Sequence, residues 1–278
     1  MMFENRELKT EYGEIRYWVC ASAGSSAPWL VFLPGLTADH HLFDPQLEHF
    51  SQRFNCLTWD PPNHGVSRPW TGGIGLDECA ELLMQIMEEA GVSKPVLVGQ
   101  SNGGYLSQML MELYPRVAAG FVSVDSCPLR REYYAGWEIW ALKHTYGMYM
   151  CIPWGWLVAW AGNGVATTDL GKRYMKGLMR SYAKRDYCRL AAQGYRALAE
   201  AVDARRPYRI DCPVQLICGE EDRAGSAKRY NREWTAREGF PMAWIPNAGH
   251  NSTLDAPEQV NGVIDAFLDR IFEGVPRD

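Results

Sequence analysis

Residues 99–104 read Gly-Gln-Ser-Asn-Gly-Gly, directly after the apolar run Pro95–Val98 and directly before a helical pattern. A G-x-S-x-G sequence acquires chemical meaning in that context of strand, abrupt turn and helix. The turn holds Ser101 in a strained backbone conformation with its hydroxyl clear of the sheet edge. Strand and helix then approach so closely that the residues two before and two after it must be small, and they are Gly99 and Gly103. The chemistry this permits is nucleophilic attack on a carbonyl. A Gly-rich turn that merely packs a strand on its helix is the competing reading, so the test is whether the serine's partners exist.

Serine needs a base within hydrogen-bond reach, and the base needs an orienting acid. In open parallel sheets such groups gather at the carboxyl ends of strands. The strand Val214–Cys218 is followed by Gly219-Glu220-Glu221-Asp222-Arg223, in which Asp222 is the chosen acid and Glu220 and Glu221 are the alternatives. The strand Met242–Ile245 leads into Pro246-Asn247-Ala248-Gly249-His250. His40, His41, His49, His64 and His144 compete with His250, but none combines a strand-end position with late placement in the chain. An oxyanion needs two preorganised N–H donors. The amide of Asn102, at a helix start, supplies one. The amide of Leu36, in the turn Pro34-Gly35-Leu36 after strand Trp29–Leu33, supplies the other.

The elements that must position these groups are readable. Leu8–Cys20 alternates like a hairpin with a turn near Tyr12-Gly13, and a polar turn follows at Ser22–Ser26. Trp29–Leu33, Phe54–Trp59, Pro95–Val98, Gly120–Val124, Val214–Cys218 and Met242–Ile245 are short apolar runs expected to be strands. Leu76–Ala90 carries apolar residues at helical spacing with Asp77 and Glu78 in its first turn and Gly91 as its stop. Asn102–Leu113, Ser226–Glu238 and Pro257–Phe272 are further helices. Strands that are continuously apolar and alternate with helices describe a mostly parallel sheet covered on both faces. That rhythm breaks after Asp125. From Cys127 to Arg206 helical patterns dominate, with Trp137, Trp140, Trp154, Trp156 and Trp160, most of which are expected to fill that segment's own interior. The expected organisation is an α/β core of residues 1–126 and 206–278 with a helical cap of residues 127–205.

With these segments in place, the chain resembles the α/β-hydrolase superfamily over nearly its whole length. The resemblance rests on Phe32-Leu33-Pro34-Gly35, Asp60-Pro61-Pro62-Asn63-His64-Gly65-Val66-Ser67, Gly99–Gly104, Gly219–Asp222, Ala248-Gly249-His250 and Asp255-Ala256-Pro257-Glu258. It implies an eight-stranded, mostly parallel sheet and a serine–histidine–acid triad. The order Ser101, Asp222, His250 is the one such a sheet requires. Pro34 departs from the family by replacing the His common before the first Gly, and His64 falls in a structural loop of the family pattern. Related haloalkane dehalogenases and epoxide hydrolases need a carboxylate where Ser101 stands, so those reactions are not expected.

Composition bounds the rest. At 278 residues the chain can bury one large core or two modest ones, and its net charge of −5 with scattered basic residues argues against nucleic acid. Met1–Thr10 lacks the apolar core of a signal peptide, and the closest approach to a membrane span, Cys151–Ala161, is Trp-rich and too short. Eight cysteines are spread without C-x-x-C pairs, so reduced thiols in a cytoplasmic protein with no membrane partner are expected. His40-His41 and Asp44 could suggest a metal, but triad hydrolysis needs none and no cofactor is expected. The sequence thus predicts a serine hydrolase that cleaves a small, largely apolar carboxylic ester or thioester through an acyl-enzyme. Carbon–carbon hydrolysis, acyl transfer, perhydrolysis and lyase chemistry use the same triad, and a non-catalytic receptor could use the same scaffold. The substrate is a small molecule, and the oligomeric state is left open.

Overall fold

Strands β3 (Trp29–Leu33) and β5 (Val96–Gln100) show why the chain folds as a two-sided sheet. Leu30, Phe32, Val96 and Val98 enter one core cluster while Val31, Leu33 and Leu97 enter another, the period-two alternation of a strand buried on both faces. The same holds for β4 (Asn55–Trp59), β6 (Gly120–Val124) and β7 (Val214–Gly219), which are buried at every position. A computed structural model of the chain describes residues 3–272 apart from Ser22 and Ser25, two members of the expected polar turn. Its eight strands lie in the order β1-β2-β4-β3-β5-β6-β7-β8, where β1 is Glu4–Thr10, β2 is Gly13–Cys20 and β8 is Met242–Ile245. The β1–β2 and β2–β4 pairings are antiparallel; β3 through β8 run parallel to one another. The chain goes from β3 to β4 on one side and then crosses to β5 on the other. The loops leaving β3 and β5 therefore diverge, which opens a crevice at their carboxyl ends.

Helices α1 (Asp44–Phe50) and α11 (Pro257–Ile271) cover one face through Leu47, Phe50, Ile264 and Phe267. The opposite face takes α2 (Leu76–Glu89), α3 (Asn102–Leu113) and α9 (Ala227–Glu238), with Leu83, Leu106 and Trp234 among the buried contacts. Of the α2 stripe expected from spacing, Leu76, Cys79, Ala80, Leu83, Ile86 and Met87 are buried, while Ala90 caps the helix and is half-buried. Gly91, at φ +69°, follows the end of the helix as expected. α1 and the single-turn α10 (Ser252–Asp255) were not legible, because neither is long enough to show a period.

Between β6 and β7 lie α4 (Gly136–Lys143), α5 (Thr145–Cys151), α6 (Trp154–Gly164), α7 (Asp169–Arg180) and α8 (Lys184–Asp203). They enclose a cluster of their own made of Leu157, Val158, Met179, Tyr182, Tyr187, Cys188, Leu190 and Ala191. Three tyrosines seat this segment on loops of the sheet: Tyr174 Oη donates to Asp39 Oδ1 at 2.9 Å, Tyr182 Oη to the Asn63 carbonyl at 3.1 Å, and Tyr187 bonds Thr37. The tryptophans correct the sequence expectation. Trp137, Trp140, Trp156 and Trp160 are 70%, 61%, 74% and 63% exposed. The short helices turn Ile139, Leu157 and Val158 inward, so Trp137/Trp140 and Trp156/Trp160, three and four residues apart, share outward faces.

Candidate active site

Ser101 sits between β5 and α3 at φ 50°, ψ −114°, a backbone conformation that a non-glycine residue adopts only under constraint. The constraint comes from both sides. Its N–H donates to the Val124 carbonyl at 2.9 Å, and its own carbonyl accepts from Ser126 Oγ at 2.7 Å and Gly104 N at 3.0 Å. The flanking glycines are a steric requirement. A Cβ on Gly99 would lie 2.4 Å from the Gly103 carbonyl oxygen, and one on Gly103 would lie 1.9 Å from that of Leu33.

His250 lies in the loop after β8, and its carbonyl accepts a 2.7 Å hydrogen bond from Gln100 Nε2, next to the serine. Nε2 of His250 is 2.9 Å from Ser101 Oγ, and Nδ1 is 2.9 Å from Asp222 Oδ2. Asp222, 2% exposed, also accepts from Ala224 N at 2.7 Å through its second oxygen. Glu220 and Glu221, the alternatives for the acid, point to solvent. Close contact of the two loops depends on Gly219, where a Cβ would lie 2.3 Å from the Ala248 and Gly249 carbonyl oxygens. The structure thus brings Ser101, Asp222 and His250 into one chain of hydrogen bonds.

A second carboxylate, missed from the sequence, joins them. Asp125 ends β6 in the left-handed region at φ 48° and is buried. Oδ1 accepts from Gly219 N at 2.8 Å, while Oδ2 accepts from Ser252 N at 3.0 Å and Ser252 Oγ at 2.5 Å. It holds together the loop before Asp222 and the residues after His250. The strand-end logic that selected Asp222 would have found it, since Asp125 directly follows the strand Gly120–Val124. Burial and the neighbouring Asp222 charge push its carboxyl up to about 7. For His250, burial opposes the charged ring, but the Asp222 charge and hydrogen bond, with the Asp125 charge, outweigh it and raise the imidazole to about 9.

Gly35 brings the β3 loop against the serine, for a Cβ there would lie 3.1 Å from Ser101 Cβ and 2.2 Å from Gln100 Oε1. The next residue, Leu36, packs its side chain into the space left by Gly194 on α8, which places that helix over the loop. The N–H groups of Leu36 and Asn102 donate to no other group among the described residues.

His40 and His41 do not converge on a common point with Asp44. His40 Nδ1 bonds Asp60 Oδ1 at 2.8 Å and its ring stacks on Trp18, whereas His41 Nδ1 faces Asp44 Oδ2 at 2.9 Å. His64 is buried with Nδ1 on the Pro62 carbonyl. Asp125, Cys218 and Asp222 form a buried group with ligand-type atoms within 4.8 Å of one another. Every carboxylate oxygen in it already accepts a hydrogen bond, so its arrangement is that of a hydrogen-bonded support.

The sheet order and the strained turn at the end of β5 define an α/β protein with Ser101 at a topological switch point. Residues 28–257 match the family described as alpha/beta hydrolase fold, and the chain belongs to that family. It is 24% identical over 258 residues to 2-(acetamidomethylene)succinate hydrolase of Mesorhizobium japonicum, covering 88% of this chain and 89% of that one. Among solved structures, it matches a hydrolase from Pseudomonas aeruginosa with a TM-score of 0.79 and 18% identity, over 95% of this chain and 98% of that one. The enol-lactonase of Burkholderia xenovorans matches with a TM-score of 0.73 and 20% identity, over 95% and 99% of the two chains. The chain is therefore an enzyme of the α/β-hydrolase family.

Proposed function

We propose that the chain is a serine hydrolase that cleaves a small, largely apolar carboxylic ester or thioester, with Ser101 as nucleophile, His250 as base and Asp222 as orienting acid. The observation that carries this reading is the pair of 2.9 Å contacts at the two nitrogens of one imidazole. With His250 neutral, its Nδ1–H donates to Asp222 and its Nε2 takes the Ser101 proton as Oγ attacks the carbonyl carbon. The oxyanion that forms accepts from the Leu36 and Asn102 amides. Collapse of the tetrahedral adduct breaks the bond to the alcohol or thiol, which leaves with the proton held at Nε2. Water, deprotonated by the same nitrogen, then attacks the acyl-enzyme and releases the acid and Ser101.

Residues 127–205 act as a cap in this reading. The apolar contact of Leu36 with Gly194, and the buried Tyr187 beside Thr37, support an apolar wall above the serine. A panel of p-nitrophenyl esters of increasing acyl length tests the proposal. Turnover is expected for short and medium acyl chains and is lost in Ser101→Ala; turnover that survives in Ser101→Ala overturns it.

A further inference from the structure

From Thr145 to Thr168 the chain carries no charged side chain, yet this stretch forms the outer surface of α5 and α6. Trp156 and Trp160 stand out from α6, and Tyr146 and Met148 from α5, at 39% exposure or more. Trp137 and Trp140 are likewise exposed on α4. Trp156 and Trp160, four residues apart, share one outward face of an uncharged helix, and clustered exposed apolar side chains mark interaction sites.

The charges beside it on α7 and the start of α8 are mostly cationic, with Asp169 and Asp186 the exceptions. Lys184 Nζ donates to the Met150 carbonyl at 2.8 Å, Lys176 Nζ to Asn163 Oδ1 at 2.6 Å, and Lys172 Nζ to the Thr167 carbonyl at 2.7 Å. These ammonium groups border the uncharged stretch, and the stem of Lys176 packs against α6 at Gly162. On α7, Arg173 and Arg180 are exposed seven residues apart with Lys176 between them, next to the exposed Leu170. Between Asp169 and Arg189 the seven cations Lys172, Arg173, Lys176, Arg180, Lys184, Arg185 and Arg189 stand against Asp169 and Asp186, in a chain whose net charge is −5.

We propose that this face of α6 and α7 docks on an anionic lipid bilayer, with Trp156 and Trp160 at the headgroup boundary and the basic residues on the lipid phosphates. Indole rings favour that boundary, having an apolar body and one N–H donor, and cations beside them are drawn to a negative surface. Charge complementarity selects a bilayer over a second copy of this chain, because two such faces brought together would oppose like charges. The sequence predicts no membrane partner because it weighs only a spanning segment, and indeed no helix among the described residues is long and apolar enough to cross a membrane. Docking on the surface needs no such helix.

Sedimentation with vesicles of phosphatidylcholine and phosphatidylglycerol at 3:1 tests this on the whole chain. Bound protein is expected with the anionic vesicles, at least tenfold less with phosphatidylcholine alone, and at least tenfold less in 0.5 M salt. Trp156→Ser/Trp160→Ser and Arg173→Glu/Arg180→Glu should each lower binding at least tenfold, with hydrolysis of a soluble ester by the folded variants unchanged. Wild-type protein that stays in the supernatant overturns the proposal, as does undiminished binding of both variants. A wild-type dimer that becomes monomeric in Trp156→Ser/Trp160→Ser without any vesicle binding assigns the face to a second copy instead. Saturable capture by an acidic polypeptide such as polyglutamate, with none by vesicles, also overturns it.

Discussion

The carboxylates of Asp125 and Asp222 approach within 4.8 Å of each other in a buried site, yet only Asp222 bonds to His250. Two carboxylates so close cannot both ionise at ordinary cost. The geometry divides their roles: Asp222 faces the imidazole, and Asp125 accepts three hydrogen bonds from the loops that carry the other two groups. Asp125→Asn puts an amide NH2 where one carboxylate oxygen accepts, so at least one buried donor loses its partner. A loss of about 1–3 kcal/mol in unfolding free energy is expected. Urea unfolding checks it; an unchanged midpoint contradicts the supporting role.

The raised His250 pKa sets the direction of the pH profile. In the proposed mechanism its neutral form is the base, so kcat/KM should rise with pH and reach half its maximum above the free-imidazole value of 6.5, toward about 9. A profile that is flat from pH 6 to 9 counts against His250 as the base. Asp222→Asn removes the charge that holds the proton, so it should move the midpoint down. It should also lower kcat/KM on the order of 10³–10⁴-fold.

The same shifts act on stability. Both groups hold a proton more tightly folded than unfolded. The Asp125 contribution is complete below 3.8 and is lost as pH rises through about 7. The His250 contribution is complete below 6.5 and is lost through about 9. Unfolding free energy should therefore fall from pH 6 to 9.5, and His250→Ala should flatten the upper part of that fall. Stability that rises across this range in the wild type contradicts the assignment.

The fold was legible wherever an element was long or ended in a motif. Strands β3, β6 and β8 and helix α3 have the predicted bounds, because Pro34 and Pro246 close β3 and β8, Gly120 opens β6 and Ser101 precedes α3. The elbow was legible because its glycines are sterically compelled. The tryptophans were misread because composition cannot tell which side of a short helix faces inward; α8 supplies the interior that they were expected to fill. Asp125 escaped because it carries no motif, only a position at the end of β6.

Asp255 makes a further test of how the site is held. Its Oδ2 accepts from Thr167 N at 2.8 Å and Gly249 N at 2.9 Å, and its Oδ1 from Thr168 N at 3.0 Å and Thr168 Oγ1 at 2.7 Å. One carboxylate thus joins the start of α7 to the residue before His250. Asp255→Ala should cost about 2–3 kcal/mol of stability, and it should lower kcat more than it raises KM. Unchanged kcat in the folded variant would show that the His250 loop keeps its place without this residue.

The tightest contact at the elbow predicts the effect of adding one methyl group. Gly103→Ala places a carbon 1.9 Å from the Leu33 carbonyl oxygen, against backbone that cannot swing away. Overpacking of this kind costs about 1–3 kcal/mol or more. Thermal unfolding at a lower temperature, with activity lost out of proportion because Ser101 shifts, is the expected outcome; a neutral variant contradicts the close packing of α3 on β3.

The proposed mechanism makes Ser101 a nucleophile activated by His250. Labelling with a fluorophosphonate, in which Oγ displaces fluoride from phosphorus, followed by mass spectrometry of the digest, tests it most directly. The expected result is a single adduct on Ser101 that is abolished in Ser101→Ala and at least a hundredfold slower in His250→Ala. Wild-type protein that takes no label at Ser101, or labelling at an undiminished rate in His250→Ala, rules out this role for Ser101 and His250.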